Sequence, residues 1–311
     1  MNRILFLKER SAAVQFLFLI GMIILFTILF GLLGLLIGKL WLHTDMETLS
    51  SYLNDPHDAK ARSFLYFYQF FNQLGVFFIP SLFFLWLATY RPGIYLGTNK
   101  IPKAISLFLA FLMIYTILPF VNYLTEINRS FVFPHGLHSL EEWLKQSEQH
   151  ADKLTKVFLS VSTPAGLILN LFIVALIPAL GEELLFRGLM QRILVRWTRN
   201  THVGVVVAAI LFSALHMQFY GFLPRFALGL LLGYLFVYTG NLWVPIFAHF
   251  VNNASSVIIF YLHYNGFIKV KMEDFGATPN GYYIVGSMLI TLWLFSILYQ
   301  KEGVALRNSK I

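Results

Sequence analysis

The chain alternates between long apolar runs and short stretches that hold nearly all of its charge. A helix that crosses a bilayer needs roughly 20 apolar residues. On that measure eight runs are candidates, at approximately 12–41, 63–90, 104–124, 166–187, 203–220, 224–239, 244–263 and 282–299. The sixth is short and the seventh carries polar groups. The pattern predicts an all-α fold, a polytopic membrane helical bundle of about eight transmembrane helices.

One extramembrane stretch has its own pattern. Ser139-Leu-Glu-Glu142 has the form of a capping box, and Leu140, Trp143, Leu144, Leu154 and Phe158 follow at helical spacing. An amphipathic helix is expected over about 139–160, lying on the outer interface as a support rather than a lid and feeding into the fourth span. With no internal repeat or low-complexity linker, the chain divides into N-terminal spans with that helix (1–163), a core carrying the candidate chemistry (164–265), and a last span with its tail (266–311).

Charge adds orientation. Of 311 residues 58% are hydrophobic and the net charge is +8. The basic residues gather in alternate connections: Arg3, Lys8 and Arg10; Arg91, Lys100 and Lys103; Arg192, Arg196 and Arg199; Lys301, Arg307 and Lys310. The intervening loops are mixed or acidic, as at Asp45, Glu47, Asp55 and Asp58. The positive-inside bias then places both termini in the cytoplasm, as an even number of spans requires, in a multi-pass membrane protein. No interleaved basic and aromatic surface points to nucleic acid. The apolar run from Ala12 is too long for a signal-peptide core, so a retained first span is expected. With no cysteine, disulfides, cysteine nucleophiles, iron–sulfur clusters and thiolate zinc sites are excluded together.

Against this background Glu182 and Glu183 stand out. The chain has fifteen acidic residues, and these two alone fall inside a predicted span. An ionisable group at that depth costs about 2.5–3.5 kcal/mol on insertion scales, which makes it a functional-site candidate. The other buried polar groups of the second half are Arg187 on the same span, His216 on the fifth, and His249 and Asn253 on the seventh. Glu183 and Arg187 are four apart and can pair along one face, and His249 and Asn253 share a face in the same way. Glu182 and Glu183 point about 100° apart around the helix and should do different jobs. If the fourth helix runs on to a turn near Asn200, Glu182 and His216 reach nearly the same height in the resulting hairpin. Phe212 reads as packing, and Lys39 and His263 as interface residues.

An acid, two imidazoles and an amide on three helices suit hydrolysis. A carboxylate can take a proton from water, an imidazole can position that water, and a second imidazole with an amide can donate to an oxyanion. Alternatively Glu182, His216 and His249 could hold a divalent metal such as zinc, with water in an open position. Spacing leaves both routes open. No His-Glu-x-x-His, Gly-x-Ser-Gly or intramembrane aspartate points to another class of membrane hydrolase.

Glu182-Glu183-x-x-x-Arg187, Phe212-x-x-x-His216 and His249-x-x-x-Asn253, in that order over roughly 165–260, resemble the three signature motifs of the CPBP intramembrane proteases. That family includes Rce1-type CAAX prenyl endopeptidases, bacteriocin-processing or immunity proteins and lysostaphin-resistance-type proteins. The resemblance implies an intramembrane endopeptidase in which Glu182 acts on water with His216. It implies that His249 and Asn253 stabilise the oxyanion and that Glu183 and Arg187 hold the motif together. It leaves open a metal-dependent or a metal-free glutamate mechanism. The implied partners are a peptide or membrane-protein substrate and the lipid bilayer. Two other readings use the same polar groups: a non-enzymatic membrane scaffold or immunity-type protein, and a proton-coupled transporter. The latter would be expected to show an inverted repeat or paired broken helices, and the sequence has neither.

Overall fold

A computed structural model describes residues 5–54, 56, 58–131 and 133–302. Arg3, Asp55, Arg307 and Lys310, used above for orientation, lie outside the described residues. The longer helices are α1 (Ala12–Leu42), α2 (Ala59–Ala88), α3 (Ala104–Thr116), α4 (Leu118–Arg129), α5 (His138–Leu159), α6 (Pro164–Thr198), α7 (Thr201–Leu215), α8 (Phe222–Thr239), α9 (Trp243–Tyr264) and α10 (Gly281–Glu302). The protein is a helical, multi-pass membrane protein, and each predicted run holds a helix. By length and composition six helices can cross a membrane, or seven when the bent pair α3–α4 counts as one. The eighth run, α7, has only 15 residues. At 1.5 Å per residue that is about 22 Å, short of a hydrocarbon core about 30 Å thick.

Proline explains the irregularities. Pro119 stands at the start of α4. It lacks an N–H and crowds the carbonyl four residues back, so the third span bends by 42° at Ile117. Pro80 and Pro178 are accommodated differently. Each is preceded by a widened turn, over Leu74–Phe78 in α2 and Leu171–Leu176 in α6, in which N–H groups reach back five residues: Ile79 to Leu74 and Ile177 to Phe172. The extra residue moves the crowded carbonyl aside and the helix continues. A third widened turn, Leu184–Met190, contains no proline and follows the two glutamates directly.

Side-chain caps set the ends of α6 and α7. Thr163 accepts the Gly166 N–H in front of Pro164, and Asn200 accepts the N–H groups of His202 and Val203. The α5 helix lies where the amphipathic pattern predicts, but the capping box does not form. The helix already begins at His138, which places Ser139 inside the first turn, and Glu142 instead meets His138 at 3.3 Å. Its Phe158 and Leu159 are buried, whereas Leu140 and Trp143 stay exposed.

Two apolar cores hold the bundle. One joins the start of the chain, α2, α6 and α7 around Leu19, Phe84, Phe186, Leu189 and Phe212, and the other joins α3, α8, α9 and α10 around Met113, Leu232, Ala248 and Leu298. The α1 helix is peripheral, with Leu17, Ile24, Leu32, Leu36 and Leu40 all exposed. It docks on α2 through Gly34 and Gly38, spaced four apart as in small-residue membrane helix contacts. A Cβ at Gly34 would lie 3.2 Å from the Tyr68 ring, and one at Gly38 would lie 2.2 Å from the Phe64 ring. Gly38→Leu should therefore force the two helices apart, at about 1–3 kcal/mol for overpacking. Gly21→Leu, with nothing within 4 Å, should be neutral. Thermal unfolding in detergent compares the pair, and equal transitions would rule out this docking mode.

Candidate functional site

The candidate site lies where α6, α7, α8 and α9 meet. Gly181, just before the glutamates, touches the widened turn of α2, where an added Cβ would lie 2.8 Å from Phe78 and 3.0 Å from Phe77. This contact sets the position of Glu182 and Glu183, both buried.

Glu183 is the centre of the charged groups. Arg187 donates from Nη1 to Glu183 Oε1 at 2.7 Å, so the pair allowed by the four-residue spacing does form. The same oxygen receives the imidazole of His249, with Nδ1 at 2.8 Å. Because a carboxylate only accepts, His249 Nδ1 carries the proton in that bond. Arg187 also donates from Nη2 to the Gly229 carbonyl of α8 at 3.0 Å, and its guanidinium lies 4.7 Å from the centre of the Phe212 ring. One turn further along α6, Gln191 donates to the Gly233 carbonyl at 3.2 Å. The two donors are four residues apart and so are the two glycines. The missing side chains of Gly229 and Gly233 give α6 access to the α8 backbone.

The α7 and α9 residues converge on a small cavity. His216 Nδ1 lies 2.9 Å from the carbonyl of Phe212, so it donates there, and in the neutral ring Nε2 is left as the acceptor. His249 turns Nε2 toward Glu182, at 3.9 Å from Oε2. Both glutamates thus meet His249 rather than His216. Asn253 Oδ1 accepts from the Asn252 amide at 3.2 Å. His216, His249, Asn252, Asn253, Phe212 and Arg225 all line a cavity of about 110 Å³. This is space for three or four waters at about 30 Å³ each. Glu182 Oε2 and Glu183 Oε2 are buried without a hydrogen-bond partner among the described residues.

A divalent metal does not fit this arrangement. Among the described residues no three His, Asp or Glu side chains converge at metal-binding spacing. Glu182, His216 and His249, the set considered above, do not form such a group, and Nδ1 of the two imidazoles is taken by Phe212 and by Glu183.

Three residues of the site were read otherwise or passed over. Phe212, taken for packing, forms edge-on contacts with the rings of Phe186, His216 and His249 while facing Arg187. Its place one helical turn before His216 was the available signal. Asn252 precedes a residue already singled out. Arg225 was visible as the one charge in the sixth run, at its start.

Comparison with known proteins fits this geometry. Residues 164–255 match the family model described as type II CAAX prenyl endopeptidase Rce1-like. The chain is 37% identical over 103 residues to the uncharacterized protein YpbD of Bacillus subtilis (strain 168), covering 32% of this chain and 47% of that protein. It is 31% identical over 100 residues to an uncharacterized 24.3 kDa protein of Escherichia coli, covering 31% of this chain and 46% of that one. The match thus spans about half the length of either relative. No solved structure matches.

Removing one member of the buried charge group should be costly. Arg187→Met leaves Glu183 without its guanidinium, a loss expected at about 3–5 kcal/mol for a broken buried pair. Glu183→Gln combined with Arg187→Met should recover a large part of it. Thermal unfolding of the single and double variants measures both. A double variant no more stable than Arg187→Met would rule out the pairing as the source of the effect.

Proposed function

We propose that the protein is an intramembrane endopeptidase that hydrolyses a peptide bond in a peptide or membrane protein, in a bacterial plasma membrane. The observation that carries this reading is the buried Oε2 of Glu182, without a hydrogen-bond partner among the described residues and 3.9 Å from Nε2 of His249, which with His216 and Asn253 lines a small polar cavity. The family match over the same helices supports hydrolysis, and the bacterial relatives support the location.

In this reading a water in the cavity donates to Glu182 Oε2 and to Nε2 of His216, whose other nitrogen is fixed on Phe212. As the water oxygen bonds to the scissile carbonyl carbon, its proton passes to Glu182. The negative charge gathers on the carbonyl oxygen, which accepts hydrogen bonds from the Asn253 amide and from Nε2–H of His249 as the imidazolium, its Nδ1–H being held by Glu183. Collapse of the adduct breaks the C–N bond, and Glu182 returns its proton to the leaving amine. The products are a carboxylic acid and an amine, and Glu182 is left as it began. Glu183 and Arg187 position the machinery: they fix the His249 ring through Nδ1 and tie α6 to α8.

Glu182→Gln keeps the shape and removes the base. Cleavage of a reporter peptide by purified protein should fall by about 10²–10⁴-fold, the range for a general base, with unfolding unchanged. Undiminished cleavage would reject the mechanism. A chelator should leave the wild-type rate unaltered, and loss of activity restored by added metal would reject the metal-free route.

A further inference from the structure

Arg225 lies on the first turn of α8 and lines two cavities at once. One is the small cavity of His216, His249 and Asn253. The other is a polar cavity of about 270 Å³ beneath α5, bordered by Glu148, Asp152 and Tyr220. Arg225 is the charged side chain common to both.

The hydrogen-bond partners of that guanidinium are neutral, while the carboxylates of Glu148 and Asp152 border the same cavity and act on it from a distance. Nη1 donates to the Gln218 carbonyl at 3.4 Å, and Nη2 donates to the Gln218 side-chain oxygen. Both partners are neutral. Among the described residues no carboxylate oxygen comes within the 4.0 Å of an ion pair, although Glu148 borders the same cavity. Glu148 is engaged elsewhere, accepting the Tyr220 N–H at 2.9 Å. The guanidinium packs on the bare backbone of Gly221, where an added Cβ would lie 2.2 Å from Nη1 and 2.8 Å from Cζ. The turn carrying Gln218 and Gly221 is fixed from a second side: Asn128, buried on α4, donates to the Phe219 carbonyl at 2.9 Å and accepts the Leu223 N–H at 2.7 Å.

A cation removed from bulk water loses hydration, and neutral amides restore only part of it. Arg187, deeper in the same bundle, has its carboxylate in place. Arg225 has the fork geometry and spare N–H donors that suit a carboxylate held by two hydrogen bonds. We propose that Arg225 is the specificity residue of the peptidase, binding a carboxylate of the substrate close to the cleaved bond. That carboxylate is either the C-terminal α-carboxylate or an Asp or Glu side chain. The assignment rests on the endopeptidase reading, because it places the anchored group beside the proposed water.

The test uses the full chain in nanodiscs and short degenerate peptides in three forms: free C-termini without Asp or Glu, C-terminal amides without Asp or Glu, and amides with Asp and Glu included. Cleavage is read by mass spectrometry, and equilibrium binding of dansylated peptides is measured on Glu182→Gln. A carboxylate-bearing form should be favoured by about tenfold, the scale of one charge-assisted contact. Preference for free C-termini identifies the α-carboxylate, and cuts next to Asp or Glu in the amides identify the side chain. Arg225→Gln should bring the ratio of carboxylate-bearing to neutral peptide cleavage close to one, and Gly221→Val should do the same without altering any charge. Arg225→Lys should keep part of it. No preference in the wild type overturns the assignment, as does an equal loss on neutral and charged peptides in Arg225→Gln. If wild type and Glu182→Gln both leave every peptide intact, hydrolysis fails as a reading, and the binding arm still decides the role of Arg225.

Discussion

A guanidinium buried among apolar helices can be accommodated only if its charge and its donors are met on the spot, and the packing of α6, α8 and α9 follows from meeting those of Arg187. The side chain is 1% exposed. Its charge is met by Glu183, one turn earlier on its own helix, which is itself completely buried. A second donor goes to α8 at Gly229, and the flat face of the group rests on Phe212 of α7. Glu183 then extends the contact to α9 by accepting His249. Four helices are thereby fixed around one charge pair, and the orientation of the His249 ring is a consequence of that pairing.

The same demand explains the distribution of glycines. Buried donors on α6 need acceptors, and a helix offers its carbonyls sideways only where no side chain intervenes. Gly229 and Gly233 provide two such openings, and each also admits α7: added Cβ atoms would lie 3.0 Å from Ala209 and 2.9 Å from Val205. Gly204 lets the α6–α7 turn close, since a Cβ there would lie 2.4 Å from Val195. With α7 drawn against both neighbours, Phe212 and His216 come to lie at the charge pair.

Much of this was legible in the chain because charge in an apolar run is rare and helical spacing is rigid. The i,i+4 relations placed Glu183 against Arg187 and put His249 and Asn253 on one face, and the apolar runs located every helix long enough to cross a membrane among the described residues. Pairings between helices were not legible. Spacing carries no information on rotation about neighbouring axes, so the sequence could suggest that Glu182 faces His216 but could not show that His249 joins both glutamates. The bend at Ile117 was foreseeable from Pro119. The widened turn at Leu184–Met190 was not, because no proline marks it. Nor did the capping box reveal that His138 would begin α5, because a cap depends on where the preceding turn leaves the chain.

The shortness of α7 bears on how such a site can be reached. The helix starts beside the arginine-rich end of α6 and stops at Leu215, about 22 Å later. The following residues, 216–221, therefore turn at membrane depth. Exposed backbone there would be costly in lipid. Here the turn is covered: α4 supplies Asn128, α5 supplies Glu148, and the polar cavity borders it. Irregular backbone at that depth is tolerated where it is buried in protein or lines a wet cavity. Water and a polar substrate segment would then enter at the end opposite Arg192, Arg196 and Arg199. On this geometry α5, the amphipathic helix read from sequence as a support, forms one wall of the polar cavity that borders the turn.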